Sequence, residues 1–466
     1  MPDTTLSSPK KNARAEATSL LRLSLPLCIA QIASISILTA DIWMMGQLSA
    51  FDLAAGGIAV RYYQPFYFFS LGILSMVSPL IAQALGAKDP TSARRTFRQG
   101  LILAVLLGII CILPVLFGAD ILPLLGQDPQ IAQHASTFLA YSAFGLLPSF
   151  IFMVMRFYTS SFQRPGPQMV TAIIGLIANI ILNYLLTSGA FGLPAMGLGG
   201  IALATSISHG LMALVLGVII QTQAPFNHVR PYQRWWVVEN AIFRRILILG
   251  LPHSFLVVAE TGMFIVAGFM IGLFGTAPLA ASAVVTQIAA VCFMIPLSVS
   301  QATAIRIGNA AGRGDVEDVI RTGWTAIVIS LFLVMPGMAL LIFSPEIFIP
   351  LFLQTQDNLY ALTVSYLIPL LMITGLFQIG DAQHIVLSAT LRGLNDTKIP
   401  AICGIFGFWG IGLGSAWVMG FQLGWGPVWI WTGIAIGLFA TSALLGLRWI
   451  YRIKLMRSYG KILADE

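Results

Sequence analysis

Charge is scarce in this chain: Lys, Arg, Asp and Glu make up 9% of the 466 residues, against 57% apolar residues, and the mean hydropathy is +0.87. So little charge excludes a soluble globular surface, which could not be covered without long exposed apolar patches. Cysteine is scarce too. Cys28, Cys111, Cys292 and Cys403 stand singly in apolar stretches without CxxC spacing, which argues against a disulfide framework or zinc site and for buried apolar roles. Signatures of catalysis are missing: there is no HExxH, no Walker phosphate loop and no GxSxG elbow. An enzyme is therefore not expected, and neither is ATP-driven pumping within this chain. The run GIGLGS, Gly410 to Ser415, lacks a preceding strand and reads as close helix packing. The alternating ten-residue segments of a membrane barrel are absent as well.

What the chain has instead is long apolar segments, each able to cross about 30 Å of hydrocarbon as a helix of roughly 20 residues. Twelve are read, at 20–46, 53–82, 97–118, 131–155, 166–188, 195–222, 245–272, 279–305, 322–345, 359–387, 399–420 and 427–452. The expected fold class is an all-α membrane protein, and the lipid bilayer is its first partner.

The basic residues fix an orientation. Every Lys and Arg except Arg61 falls on one side of this succession of helices, while the opposite loops carry Asp52, Asp120, Asp128, Glu346 and Asp357. The positive-inside rule then places both termini in the cytoplasm of a cell whose plasma (inner) membrane the chain spans many times. Because the positive charge alternates with the loops rather than forming a patch, no nucleic-acid partner is expected. Residues 1–19 are polar without an apolar core, so no cleavable signal peptide is expected and the first helix directs insertion. No obligatory protein partner is inferred.

Sliding the chain on itself by 226 residues aligns Leu25 and Pro26 with Leu251 and Pro252, Gly46 with Gly272, and Leu53, Ala54 and Ala55 with Leu279, Ala280 and Ala281. Gly86 meets Gly312, Asp89 meets Asp315 and Arg95 meets Arg321, while near an offset of 229 Gln127 and Asp128 meet Gln356 and Asp357. A constant offset with helix and loop phases in step reads as an internal duplication. Each unit holds an even number of helices, six, so the halves have parallel topology and a pseudo-twofold axis along the membrane normal. The organisation expected is a tail at 1–19, a lobe at 20–222, a polar linker at 223–244 with Trp235 and Trp236 at the interface, a second lobe at 245–452 and a tail at 453–466. Two bundles with a cleft between them suit alternating access, in which a central site faces each side in turn.

Three carboxylates interrupt apolar segments: Asp41 in the first, Glu260 in the seventh and Asp381 in the tenth. Each costs on the order of 2.5 to 3.5 kcal/mol at a bilayer centre, and such residues mark ion or substrate pathways. A carboxyl that is neutral when buried and ionised when wet or facing a cation couples proton and cation occupancy. Asn179 and Asn183, four apart on the fifth segment, share a helix face and could join Asp41 in a polar network or simply pair helices. His253, two turns before Glu260, and His384, three residues after Asp381, read as orienters ahead of proton relays. The aromatic run from Arg61 to Phe69 reads as an interfacial belt, with organic-cation binding the alternative.

Three stretches, LGLPHSFLVVAETGMF, LAASAVVTQIAAVCFMIPLSVSQATAIRIGNAAGRGD and LFQIGDAQHIVLSATLRGLNDTKIPA, together with LPLCIAQIASISILTADIWMMGQLSAFDLAAGGIA in the first half, resemble the MATE (multidrug and toxic compound extrusion) family, NorM branch, over about residues 20 to 450. The resemblance implies twelve helices in two lobes around a central cavity, exporting small organic cations or amphipathic drugs in exchange for inward Na⁺ or H⁺, without a covalent cofactor. By motif, Asp41, Glu260 and Asp381 match the family's acids, Asn179 and Asn183 its helix 5 pair, and Gln287 its TQI segment; Glu260 and Asp381 are then the ligands of any Na⁺. NorM-like sequences can carry a Tyr, proposed to assist Na⁺, one turn before the helix 10 acid, and this chain has Phe377, which leans the reading toward protons or mixed coupling.

The expectation is a secondary antiporter for organic cations. Two rivals stand beside it: a lipid-linked oligosaccharide flippase of the same superfamily, which needs a basic cavity for pyrophosphate, and a non-transporting membrane receptor or intramembrane enzyme.

Overall fold

A computed structural model describes residues 13–192, 194–234, 236–352 and 359–462. Twelve helices in it are long and apolar enough to cross a membrane: α1 Ala13–Leu48, α2 Ala50–Gly86, α3 Pro90–Leu116, α4 Pro129–Ser161, α5 Gly166–Ser188, α6 Gly197–Thr222, α7 Asn240–Gly272, α8 Thr276–Gly312, α9 Val316–Phe343, α10 Tyr360–Gly393, α11 Lys398–Gln422 and α12 Pro427–Tyr459. No strand occurs among the described residues. With no water in hydrocarbon to satisfy the backbone, helices are the solution such a sequence requires. Large side chains such as Trp43, Ile110, Tyr184, Phe269 and Phe332 stay exposed on the outer faces, as the lipid-facing surface of a multi-pass membrane protein demands.

Helix starts are set by short polar caps. The Asp89 carboxylate accepts from the backbone N–H groups of Thr91 and Ser92 at 3.0 Å with Pro90 in the first turn, Asp128 accepts from Gln130 at 2.7 Å, and Asp315 accepts from Asp318 at 2.9 Å. Each satisfies donors that the first helical turn leaves orphaned. Asp89 and Asp315 are repeat-related, so this part of the duplication has a local physical cause.

The packing follows the repeat. Within the first half α1 packs on α2 and α5, α2 on α4, α3 on α4, α4 on α6 and α5 on α6. The second half repeats the pattern: α7 packs on α8 and α11, α8 on α10, α9 on α10, α10 on α12 and α11 on α12. Between the halves α1 meets α8 and α2 meets α7, contacts that exchange under the twofold, and α2 meets α8 across it.

That last crossing closes one end, the end bearing the basic loops. A Cβ added at Gly86 would lie 2.1 Å from the Asn309 carbonyl oxygen, and one at Gly312 would lie 2.0 Å from that of Gln83. Only glycine lets the backbones approach so closely. Around the crossing the amides of Gln83 and Asn395 exchange hydrogen bonds of 3.1 and 3.0 Å, and Gln83 also donates to the Gly393 carbonyl at 2.9 Å.

The segment between α6 and α7 is strapped to the first half. Arg98 donates to the carbonyls of Gln233 and Arg234 and, at 2.7 Å, to Glu239; Gln99 donates to Val237, and Tyr158 to Phe226. Trp236 is exposed; Trp235, expected beside it, lies outside the described residues, as do Gln356 and Asp357 of the repeat. The GIGLGS run lies where α11 winds as a π-helix over Phe406–Leu413, and Gly407 and Gly412 sit hard against Thr441 and Gly437 of α12, the close packing expected of it. The four cysteines are unpaired.

Candidate functional site

The first polar centre lies inside the first lobe. Asp41 on α1 is 3% exposed and sits against α5 and α6, both of which pack on α1. Asn183 donates to its Oδ1 at 2.8 Å and Asn179 at 3.2 Å, while the Thr205 hydroxyl of α6 donates to Oδ2 at 2.6 Å. Asn179 also donates to Thr205 Oγ1 at 2.8 Å, and Asn183 to Asn179 Oδ1 at 3.2 Å. The spacing of four on α5 thus does bring both amides onto the acid. A carboxylate held by three neutral donors can keep a charge in a lipid-surrounded lobe, and the buried Asn183 Oδ1, which has no partner, leaves the network one acceptor open.

The second centre lies in the other lobe. Asp381 and His384 share a face of α10, Glu260 reaches them from α7, and α12 packs on both helices. His384 stands between the acids, Nε2 at 3.4 Å from Glu260 Oε2 and Nδ1 at 3.6 Å from Asp381 Oδ1. One ligand atom from each of the three lies within 4.8 Å of the others. The side chains of His384 and Asp381 are 2% and 6% exposed, and that of Glu260 is 16% exposed. The centre therefore opens on the Glu260 side.

This arrangement carries unspent polarity. Asp381 Oδ1, His384 Nδ1 and both amide atoms of Gln378, one turn before Asp381, are buried without a hydrogen-bond partner. Buried polar atoms are ordinarily paired, so these are groups able to take up a further partner. Phe377 contributes no oxygen here. Its ring stacks on Trp431 at 5.6 Å, and Phe408 stands edge-on to His384 at 5.4 Å.

Other expected residues are placed differently. His253 faces Arg392, which also reaches the Ser75 hydroxyl at 3.5 Å, so it orients an arginine and stands apart from the Glu260 centre. Gln287 is on an exposed face of α8 and enters neither hydrogen-bonded network among the described residues. The aromatic run packs inward more than a belt would: Tyr62 donates to the Pro114 carbonyl at 2.7 Å, Tyr67 packs on Phe150 and Phe69 on Phe255 of α7. Arg61 is exposed.

Thr205, Gln378 and the bridging role of His384 were not apparent from sequence. A hydroxyl on a membrane helix ordinarily bonds back to its own helix, as Ser208 does to Ala204, and nothing local singles Thr205 out. The FQxxDA motif, however, already contains Gln378 one turn from the acid.

A family model for MatE matches residues 26–185 and again 252–418. The chain belongs to the MatE family. The two matched stretches begin 226 residues apart, the same offset as the internal repeat, so each lobe carries one MatE unit. Among relatives, a "Probable multidrug resistance protein NorM" of Agrobacterium fabrum is 36% identical over 435 residues, 93% of each chain, and one of Mesorhizobium japonicum is 34% identical over 448 residues, 96% of each. A MATE protein solved in complex with MaL6 superposes with a TM-score of 0.87 at 21% identity, covering 95% of this chain and 97% of that one. The two-lobed MATE fold is therefore shared across most of the chain.

Proposed function

We propose that this MatE protein is a secondary multidrug exporter, carrying cationic or amphipathic organic compounds out of the cell in exchange for inward H⁺ or Na⁺. The observation that carries this reading is the pair of acidic centres, Asp41 with Asn179, Asn183 and Thr205 in one lobe and Glu260 with Asp381 and His384 in the other, each set among membrane-crossing helices. The NorM names of its relatives agree with it. The basic loops and both termini face the cytoplasm by the positive-inside rule, in the inner membrane, and the lobes at 20–222 and 245–452, joined through 223–244, rock as units. Gln287 lines the route between them.

Exchange follows from competition. A cationic drug and a coupling ion that favour the same negative charge lower each other's occupancy by the same coupling free energy. An inside-negative potential then drives the inward cation by about 2.3 kcal/mol per charge per 100 mV. The Glu260 centre supports H⁺ over Na⁺: sodium wants several oxygen donors, and here an imidazole and the apolar Phe377 stand beside two carboxylates.

Uptake of an ethidium-like cation into inverted vesicles, with Na⁺ and pH gradients imposed separately, tests both parts. Accumulation driven by the pH gradient is expected, together with its loss in Glu260→Gln at unchanged protein level. Accumulation by Glu260→Gln at the normal rate and with normal ion dependence would remove that residue from the mechanism, and absence of counterflow in the unaltered protein would end the export reading.

A further inference from the structure

We propose that Glu16 and Arg306 form a charged clamp between the lobes, positioning residues of the transport cycle that hold the basic end of the molecule shut and part each time it opens. Glu16 lies near the start of α1 and is 0% exposed, and Arg306 on α8 is 8% exposed. The guanidinium grips the carboxylate in two places, Nε to Oε1 at 2.5 Å and Nη2 to Oε2 at 2.6 Å. Thr322 of α9 donates to Oε1 at 2.9 Å, and Arg306 Nη1 donates to Gln163, after α4, at 3.1 Å. Glu16, on α1, and Gln163, after α4, come from helices of the first half and Arg306 and Thr322 from helices of the second, so every one of these bonds except that of Gln163 ends on a carboxylate reached across the boundary between the halves.

Three features separate a clamp from an ordinary staple of the fold. The pair spans the boundary between the halves, where α1 meets α8 and α9. It is sealed by an apolar layer drawn from both lobes, Leu20, Leu23 and Leu27 of α1 against Val299, Ala302 and Ile305 of α8, so that water reaches the charges only when the lobes separate. It also has no repeat-related counterpart: 226 residues on from Glu16 stands Ile242, and 226 before Arg306 stands Leu80. The glycine crossing at Gly86 and Gly312 is symmetric, whereas the charge is added on one flank alone.

The physics suits a contact that has to open repeatedly. A buried ion pair gives little net stability, because Coulomb attraction is offset by desolvation, and separation returns hydration to both partners. Removing one partner is another matter. It strands the other charge in the closed form only, and the closed form alone bears that cost.

The test places spin labels on the repeat-related positions Thr91→Cys and Glu317→Cys, both exposed near this end, in full-length protein lacking its four native cysteines, in lipid nanodiscs. Glu16→Gln is expected to raise the ratio of long to short inter-label distances by about tenfold or more, the scale of stranding one buried charge. The reciprocal exchange Glu16→Arg with Arg306→Glu is expected to return the distribution toward that of the parent, a rescue that loss of packing alone would not show. A folded Glu16→Gln protein with an unchanged distribution overturns the proposal. Should Glu16→Gln not fold, Thr322→Val and Arg306→Lys are expected to move the ratio in the same direction by less, and no movement in either overturns it equally. The distances report lobe separation whatever is carried, so they stand or fall apart from the export reading; under that reading Glu16→Gln also weakens the apparent affinity for the external ion by the factor lost from the outward-facing population.

Discussion

At the level of single atoms, Thr205 completes the hydrogen bonding of Asp41. Its hydroxyl is the donor on Asp41 Oδ2 and at the same time the acceptor from Asn179, so it closes a ring of four polar side chains inside the lobe. Thr205→Val keeps the shape and removes both bonds, leaving a buried carboxylate oxygen unsatisfied, a loss of about 1–3 kcal/mol. Thermal unfolding in detergent is expected to fall by a few degrees and vesicle transport by about tenfold, with Thr205→Ser restoring both; a Thr205→Val protein transporting normally would place the proton and ion chemistry elsewhere. Asp41, Asn179 and Asn183 could be read from the chain because a spacing of four on one apolar helix is visible without knowing the partner. Thr205, which comes to Asp41 from a helix far along the chain, could not. The same holds for Glu16: near the start of the sequence it looks like one more polar residue of the expected tail, and only the arrival of Arg306, 290 residues later, makes it a buried charge.

At the level of helices, the sequence reading and the structure agree on number and order because hydrocarbon thickness imposes a length that composition alone reveals. They differ at the ends. α1 starts at Ala13 and α7 at Asn240, earlier than the apolar spans at 20 and 245, because helices continue past the hydrocarbon where caps or ion pairs sustain them. The π-helical winding of α11 had no signature beyond its glycines. The caps do have one, and they yield a prediction. Asp89 and Asp315 occupy the same place in the two repeats and accept from first-turn N–H groups, so Asp89→Ala and Asp315→Ala are each expected to lower stability by about 1 kcal/mol, read as similar shifts in unfolding temperature. A loss confined to one of them would mean that the two repeats do not share this local architecture. The Asp89 carboxyl, outside the spans, is held below the ordinary Asp range chiefly by the Ser92 hydroxyl. Its contribution is present above the unfolded pKa and is lost as pH falls through the lower folded value, so Asp89→Asn is expected to flatten the acid limb of the stability profile slightly.

For the whole molecule, the arrangement of contacts says which end is shut. The two lobes meet most intimately where α2 crosses α8 and where Gln83 pairs with Asn395 and Gly393, while both acidic centres lie within the lobes. Opening at this basic end must therefore pull Gln83 away from Asn395, because these side chains come from α2 and from the turn after α10, on opposite sides of the boundary. Tying them together should arrest the cycle without disturbing either centre. In protein lacking the native cysteines, Gln83→Cys with Asn395→Cys joined by a short reducible bis-thiol reagent is expected to stop cation uptake in vesicles, to leave ligand binding from the far side intact, and to release transport fully on reduction. Each single cysteine treated the same way serves as the control for modification alone. If the joined protein carries cargo at the unjoined rate, the lobes do not part at this end, and the exchange proposed for the Asp41 and Glu260 centres would have to be served by motion inside each lobe instead.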